Sequence, residues 1–233
     1  MQQRTAKLLI FQEWVPGNSL SSRLRTYGAF SDAMTRRYVT QVLAGLAYLH
    51  SHGVVHMDIK CENLLVSANN SECSVCMTNS SPATATTSAS LMMVLLQRSS
   101  LSLVMCACVS TSIYAQLGQG GVVKLADFGT AGSIDDAART GRLGSPLFMA
   151  PEVMLHRHYS PKADIWSVGG AVLQMATLKA PWQERGFRTP VQLAKHMAQC
   201  DQSSPPLIAP HLSPELQQFL CRYKATPTTN LKS

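Results

Sequence analysis

Residues 56–63 read HMDIKCEN and set the carboxylate of Asp58, the ammonium of Lys60 and the amide of Asn63 within one short stretch. The octet poses a chemical question: whether Asp58 is placed to act as a general base. A second reactive set is made of thiols. Cys73 and Cys76 form a CxxC, and Cys106 and Cys108 form a CxC about thirty residues later, which together could offer four thiolates to zinc. Those pairs lie in a Ser/Thr-rich, low-complexity stretch without glycines to shape a zinc knuckle, so free thiols are expected. The chain has seven cysteines, an odd number, and its N-terminus MQQRTAKLLIF lacks a long apolar run ending in small residues. Neither a disulfide framework nor a secretory signal is read there, and a reducing, cytoplasmic setting is expected.

The elements that must position the octet are short strands followed by helices. The chain has 233 residues, of which 45% are hydrophobic, enough for one sizeable core. Lys7 to Val15 is an apolar run that ends at Pro16 and Gly17, as a buried strand and turn would. A helix is expected over Ser19 to Tyr27. Another is expected over Ser31 to His50, where Tyr38, Val42, Leu43, Leu46 and Leu49 recur at helical spacing and Ser31 or Asp32 can cap. Gly53 ends it, so the octet leaves a helix and enters a loop. VVKL at 122–125 is strand-like, and a Gly-rich loop runs on through Pro151. Helices are then expected over Ala163 to Leu178, Pro190 to Gln199 and Ser213 to Tyr223.

Between about Ser67 and Gly120 the composition changes to a polar, repetitive run and then an apolar run without periodic order. Gln97 and Arg98 interrupt the apolar part before it reaches the roughly 18 to 20 residues that a membrane span requires. A low-complexity insert, unstructured or translated from non-coding sequence, is expected instead of a membrane anchor. The net charge of +7 comes from scattered residues with no basic block, so no nucleic-acid partner is expected.

Four segments in order carry a resemblance. HMDIKCEN resembles the H-R-D-x-K-x-x-N catalytic loop of eukaryotic protein kinases, and ADFG at 126–129 resembles their metal-binding D-F-G. GSPLFMAPE at 144–152 is similar to the end of their activation segment, and DIWSVGG at 164–170 to the start of their large buried helix. With VPGNSL at 15–20, the wording is most like the mitogen-activated protein kinase kinase kinase group. The resemblance covers about three quarters of the residues. It implies an α+β, protein-kinase-like fold, mainly the helical C-lobe with its hinge strand and with most of the N-lobe sheet absent.

The same resemblance implies roles. Asp58 would orient the acceptor hydroxyl and take its proton, and Lys60 would place positive charge on the transferring phosphoryl group, a lysine typical of the serine/threonine branch. Asn63 and Asp127 would hold Mg²⁺ between the phosphates of ATP. Gln12 falls at the gatekeeper position, Glu13, Trp14 and Val15 would form the adenine-pairing hinge, and Leu65 the floor under adenine. His56 and Phe128, beside Gly129, resemble members of the spine that ties the metal loop to the core. Ser145 would contact the catalytic loop, Asp164 would accept backbone amides from it, and Thr140, flanked by Arg139 and Arg142, is the candidate regulatory phosphosite.

Departures from the pattern are equally specific. Met57 stands where the family usually has the arginine that pairs with an activation-segment phosphate, so phosphorylation should matter less. Thr226, Pro227 and Asn230 replace the closing pattern, and the arginine expected to pair with Glu152 is missing, leaving a buried carboxylate at a cost of several kcal/mol as an order of magnitude. About fifty residues separate two strands that the family joins by a tight turn, at about 1 to 2 kcal/mol of loop closure. No Gly-rich loop, strand lysine or helix glutamate is read before residue 7, and turnover by this chain is expected at least about a thousandfold below the usual 1 to 100 per second.

The organisation expected is one discontinuous kinase domain, residues 7–66 plus 121–230. Residues 1–66 carry the hinge strand, first helices and catalytic loop, 67–120 the insert, and 121–233 the metal loop, activation segment and remaining helices. The function expected is transfer of the γ-phosphoryl of Mg·ATP to serine or threonine of a protein substrate, possibly a MAP kinase kinase. The alternative is a non-catalytic kinase-like binding module.

Overall fold

Helix α1, Leu20–Tyr27, starts because Ser19 is extended and its hydroxyl accepts the Ser22 N–H at 3.2 Å. Helix α2, Asp32–Ser51, starts in the same way on Ser31. Caps of this kind stabilise a helix by about 1 kcal/mol. The computed structural model describes residues 15–67, 121–134, 144–199, 206, 208 and 212–224.

Helix α2 buries Tyr38, Val39, Val42, Leu46 and Leu49, the three- and four-residue spacing of one helical face. It leaves the helical path at His52 and Gly53, the latter at φ +71°, a left-handed turn that glycine adopts without strain. Four short strands follow: β1, Val54–Val55; β2, Leu64–Ser67; β3, Val122–Leu125; and β4, Gly132–Ser133. They form two antiparallel pairs. β2 lies on β3 with Leu64 opposite Leu125 and Ser67 opposite Val122, and β1 lies on β4 with Val54 opposite Ser133.

Helix α3, Pro151–His156, and helix α4, Pro161–Thr177, each begin on a proline, whose fixed φ and missing N–H suit the first helical position. Helix α5, Pro190–Gln199, and α6, Pro214–Lys224, complete the element order. The main core is enclosed by α1, α2, α4 and the β2–β3 hairpin, with Leu20, Leu46, Leu49, Leu64 and Val172 fully buried. Each such side chain contributes about 1.5–3 kcal/mol of transfer free energy. A second cluster gathers Val55, Met57, Met149, Val153 and Tyr159 below the loop that follows β1, and a third surrounds Trp182.

The described residues are therefore mostly helical with minor, unclosed sheet, and among them helices dominate after a few short strands as the patterning predicted. α4 starts two residues before Ala163 because Pro161 pre-sets its first turn, and it stops at Thr177 because Leu178 turns left-handed at φ 63°. The strand expected over Lys7 to Val15 lies outside the described residues except for Val15, and so do both cysteine pairs and the apolar run 91–115. Among the described residues no helix is long and apolar enough to cross a membrane.

Candidate active site

The loop between β1 and β2 is fixed from below by one carboxylate. Asp164, 1% exposed in the first turn of α4, takes the Met57 N–H on Oδ1 at 2.8 Å. Its Oδ2 takes the His56 N–H at 2.9 Å and His50 Nε2 at 2.8 Å. Those bonds hold Met57 at φ +67°, a conformation that costs a non-glycine residue about 1–3 kcal/mol and persists only where its surroundings over-determine it. The Met57 side chain is buried in the apolar cluster of Val55, Met149, Ala150, Val153 and Tyr159.

His56 is fully buried and its pKa is lowered, because burial disfavours the imidazolium more than Asp164 and the Ala126 carbonyl favour it. Its Nε2 meets the Ala126 carbonyl oxygen at 3.1 Å and its Nδ1 accepts the Asp58 N–H at 3.3 Å. A carbonyl can only accept, so this neutral ring carries its proton on Nε2. The ring lies 4.9 Å from that of Phe128, which is buried. Thr130, just after Gly129, donates its hydroxyl to the His56 carbonyl at 3.1 Å.

Above this base the loop turns Asp58 into a junction. Its Oδ2 accepts Lys60 Nζ at 2.8 Å and Asn63 Nδ2 at 3.0 Å, and its Oδ1 accepts the Ser145 N–H at 2.8 Å. Lys60 Nζ also donates to Ser145 Oγ at 2.6 Å. Burial opposes ionisation of Asp58, yet the hydrogen bonds from Lys60 and Ser145 outweigh it and hold the carboxyl below its usual value. The residue is a carboxylate at neutral pH.

Asn63 sits in the 3₁₀ turn Cys61–Asn63 and directs Nδ2 to the Asp58 carbonyl at 2.8 Å as well as to its carboxylate. Its Oδ1 accepts no hydrogen bond among the described residues. The Ala126 N–H bonds the Asn63 carbonyl at 2.9 Å and so ties the end of β3 to this loop. Asp127 follows at φ +62°, exposed, with Oδ1 accepting the Gly129 N–H at 3.3 Å. An uncommitted amide oxygen and an exposed carboxylate are hard donors. They suit Mg²⁺, which keeps waters and phosphate oxygens for its other positions, so the donor set fits the metal that the family resemblance implies.

Leu65 is half-buried on β2 and bridged to Ser19, while Val15 is half-buried ahead of the Pro16–Gly17 turn. Glu152, in the first turn of α3, is buried with neither carboxylate oxygen hydrogen-bonded among the described residues. Gln12, Glu13, Trp14 and Thr140 lie outside the described residues. Sequence reasoning missed His50 and Thr130. A histidine in the last turn of α2, six residues before His56, was the available signal for the first; Thr130 had none beyond its place after Gly129.

A left-handed aspartate after β3, a carboxylate–lysine–asparagine loop after β1 and a buried helix pinning that loop form the arrangement that the protein-kinase resemblance implies. Comparison with known proteins agrees. The family described as Protein kinase domain matches residues 1–79 and 113–226. Mitogen-activated protein kinase kinase kinase 2 of Arabidopsis thaliana is 34% identical over 182 residues, 76% of this chain and 20% of the relative. Mitogen-activated protein kinase kinase kinase ANP1 of the same plant is 35% identical over 182 residues, again 76% and 20%. Mitogen-activated protein kinase kinase kinase 3 of Mus musculus is 30% identical over 228 residues, 95% of this chain and 28% of the relative. The chain belongs to the protein kinase domain family and, within it, is homologous to the serine/threonine kinases of the kinase kinase kinase group. It spans between about a fifth and somewhat over a quarter of the length of these relatives.

Proposed function

We propose that the protein transfers the γ-phosphoryl group of Mg·ATP to a serine or threonine hydroxyl of a protein substrate, within a mitogen-activated kinase cascade in the cytoplasm. A MAP kinase kinase is the substrate class proposed. The observation that carries the reading is the Asp58 junction, an ionised carboxylate oriented by Lys60, Asn63 and Ser145. In this role Asp58 orients the acceptor hydroxyl and receives its proton, and Lys60 sets positive charge where the phosphoryl group passes. Asn63 through Oδ1 and Asp127 through its carboxylate are the residues that would hold magnesium. Bound magnesium supplies neutralisation of the phosphate charge. Leu65, Gln12 at the gatekeeper position and the hinge residues Glu13, Trp14 and Val15 are assigned to adenine. Residues 7–66 and 121–230 are read as one domain around the 67–120 insert, in keeping with a family match that falls in two blocks. Thr140 is assigned as a phosphosite of limited effect, because Met57 offers a phosphate no charge.

The test is transfer of labelled phosphate from Mg·ATP to a generic basic protein by the full native-length protein. Turnover of about 1 to 100 per second is expected where the native protein carries a Gly-rich loop, strand lysine and helix glutamate, and at least about a thousandfold less from residues 1–233 alone; Asp58→Asn should lower either rate at least about a hundredfold. Absence of transfer, or an Asp58→Asn variant as fast as the parent, overturns the reading.

A further inference from the structure

Gly144 stands where the activation segment crosses the catalytic loop. A Cβ added there would enter the van der Waals shell of the Met57 carbonyl oxygen and lie 3.1 Å from Asp58 Oδ1. Neither neighbour is free to yield. The Met57 backbone is left-handed and anchored through its N–H to Asp164, and Asp58 Oδ1 is bonded to the Ser145 N–H. Gly132 gives the contrast, since a Cβ there would meet only Met57 Cε at 3.2 Å, the far end of a flexible side chain. Of the two Asp58 oxygens, Oδ2 has both Lys60 and Asn63, whereas Oδ1 has only the Ser145 N–H among the described residues.

We propose that Gly144 is a positioning residue for Asp58: its lack of a side chain lets the backbone pass over the Met57 carbonyl closely enough for the Ser145 N–H to fix Asp58 Oδ1. The catalytic meaning rests on the function proposed above, while the contact does not. With any side chain at 144 the segment must lift away, the Ser145 amide loses its acceptor, and the carboxylate keeps donors on one oxygen only. The side chain of Asp58 is then free to turn away from the direction in which it would receive a proton.

Amide hydrogen exchange of the ¹⁵N-labelled chain tests the contact, and phosphoryl transfer by the full native-length protein tests its consequence. In Gly144→Ala the Ser145 amide should exchange about tenfold or more faster, the equivalent of one lost hydrogen bond, with amides of α2 and α4 still protected. Gly132→Ala should leave Ser145 as in the parent. Asp58→Ala removes the acceptor without touching position 144 and should expose the Ser145 amide equally, which keeps the contact testable where Gly144→Ala does not fold. An unchanged Ser145 amide in either of these two variants, or equal exposure in Gly132→Ala, overturns the proposal. In turnover, Gly144→Ala should lower kcat with the KM for ATP unmoved. An exposed Ser145 amide with unchanged kcat overturns the positioning role if Asp58→Asn still abolishes transfer. If Asp58→Asn is equally harmless, the catalytic reading of Asp58 fails instead.

Discussion

Asp164 does for the loop what no residue inside the loop can do. Its two oxygens take three donors, two of them the backbone N–H groups of His56 and of the left-handed Met57. Removing it leaves those donors buried without an acceptor and releases the strain at Met57. Asp164→Ala is therefore expected to cost about 3–5 kcal/mol of stability, read as a fall in the urea midpoint. A loss below about 1 kcal/mol would show that the loop is held by packing alone. Met57 shows how much of a residue's role is legible in sequence. The lost positive charge could be read from the octet, but the packing that replaces it could not, because Met149, Val153 and Tyr159 come from a segment distant in the sequence. In the same way, the grouping of Asp58, Lys60 and Asn63 follows from their spacing. The contacts from Ser145 and Asp164 span 87 and 107 residues and depend on the fold.

At the scale of elements, α1 and α2 were legible because each has a serine cap and an apolar face. Ser31 and the run from Tyr38 to Leu49 place α2 to within a residue. The short elements were not. β1 and β4 have two residues each, and α3 has six, too few for any periodicity to register. They exist through tertiary contacts: β1 pairs with β4 across about eighty residues of chain, and the Ile134 N–H extends that pairing by bonding the Gly53 carbonyl at 2.9 Å. Helix α4 illustrates the opposite case, a helix strongly patterned yet locally unfavourable. Gly170 weakens it by propensity, but a Cβ there would lie 2.9 Å from Pro181 Cγ and 3.0 Å from Phe148 Cδ1. Alanine gains about 1 kcal/mol in the helix and loses about 1–3 kcal/mol to overpacking. Gly170→Ala should thus lower the thermal midpoint by an amount equivalent to about 1 kcal/mol, and a rise would mean that the turn Pro146–Phe148 yields freely.

At the scale of the whole molecule, buried titratable groups set opposing dependences on pH. Asp58, with its pKa lowered, and His56, also lowered, both make the folded state bind fewer protons than the unfolded chain, so their contributions are lost as pH falls. Glu152 acts in the other direction. Burial raises its pKa above the ordinary 4.5, and the pull of its own amide and of His158, Lys162 and His156 offsets only part of that. Between the ordinary and the raised value the folded state binds more protons than the unfolded one, so stability falls as pH rises through that window. Below it both states are protonated and the group is neutral in effect. Glu152→Gln keeps the shape and the neutral charge of the acid form, so the difference from the parent isolates this one carboxyl from Asp58 and His56. The two proteins should be equally stable near pH 4, and the variant should become more stable by about 1 kcal/mol above the raised pKa, where the parent holds a buried carboxylate with neither oxygen hydrogen-bonded among the described residues. Urea unfolding at a series of pH values reads the difference. A constant offset at every pH, or a variant less stable at neutral pH, would show that the carboxylate has a partner strong enough to keep it charged in the fold.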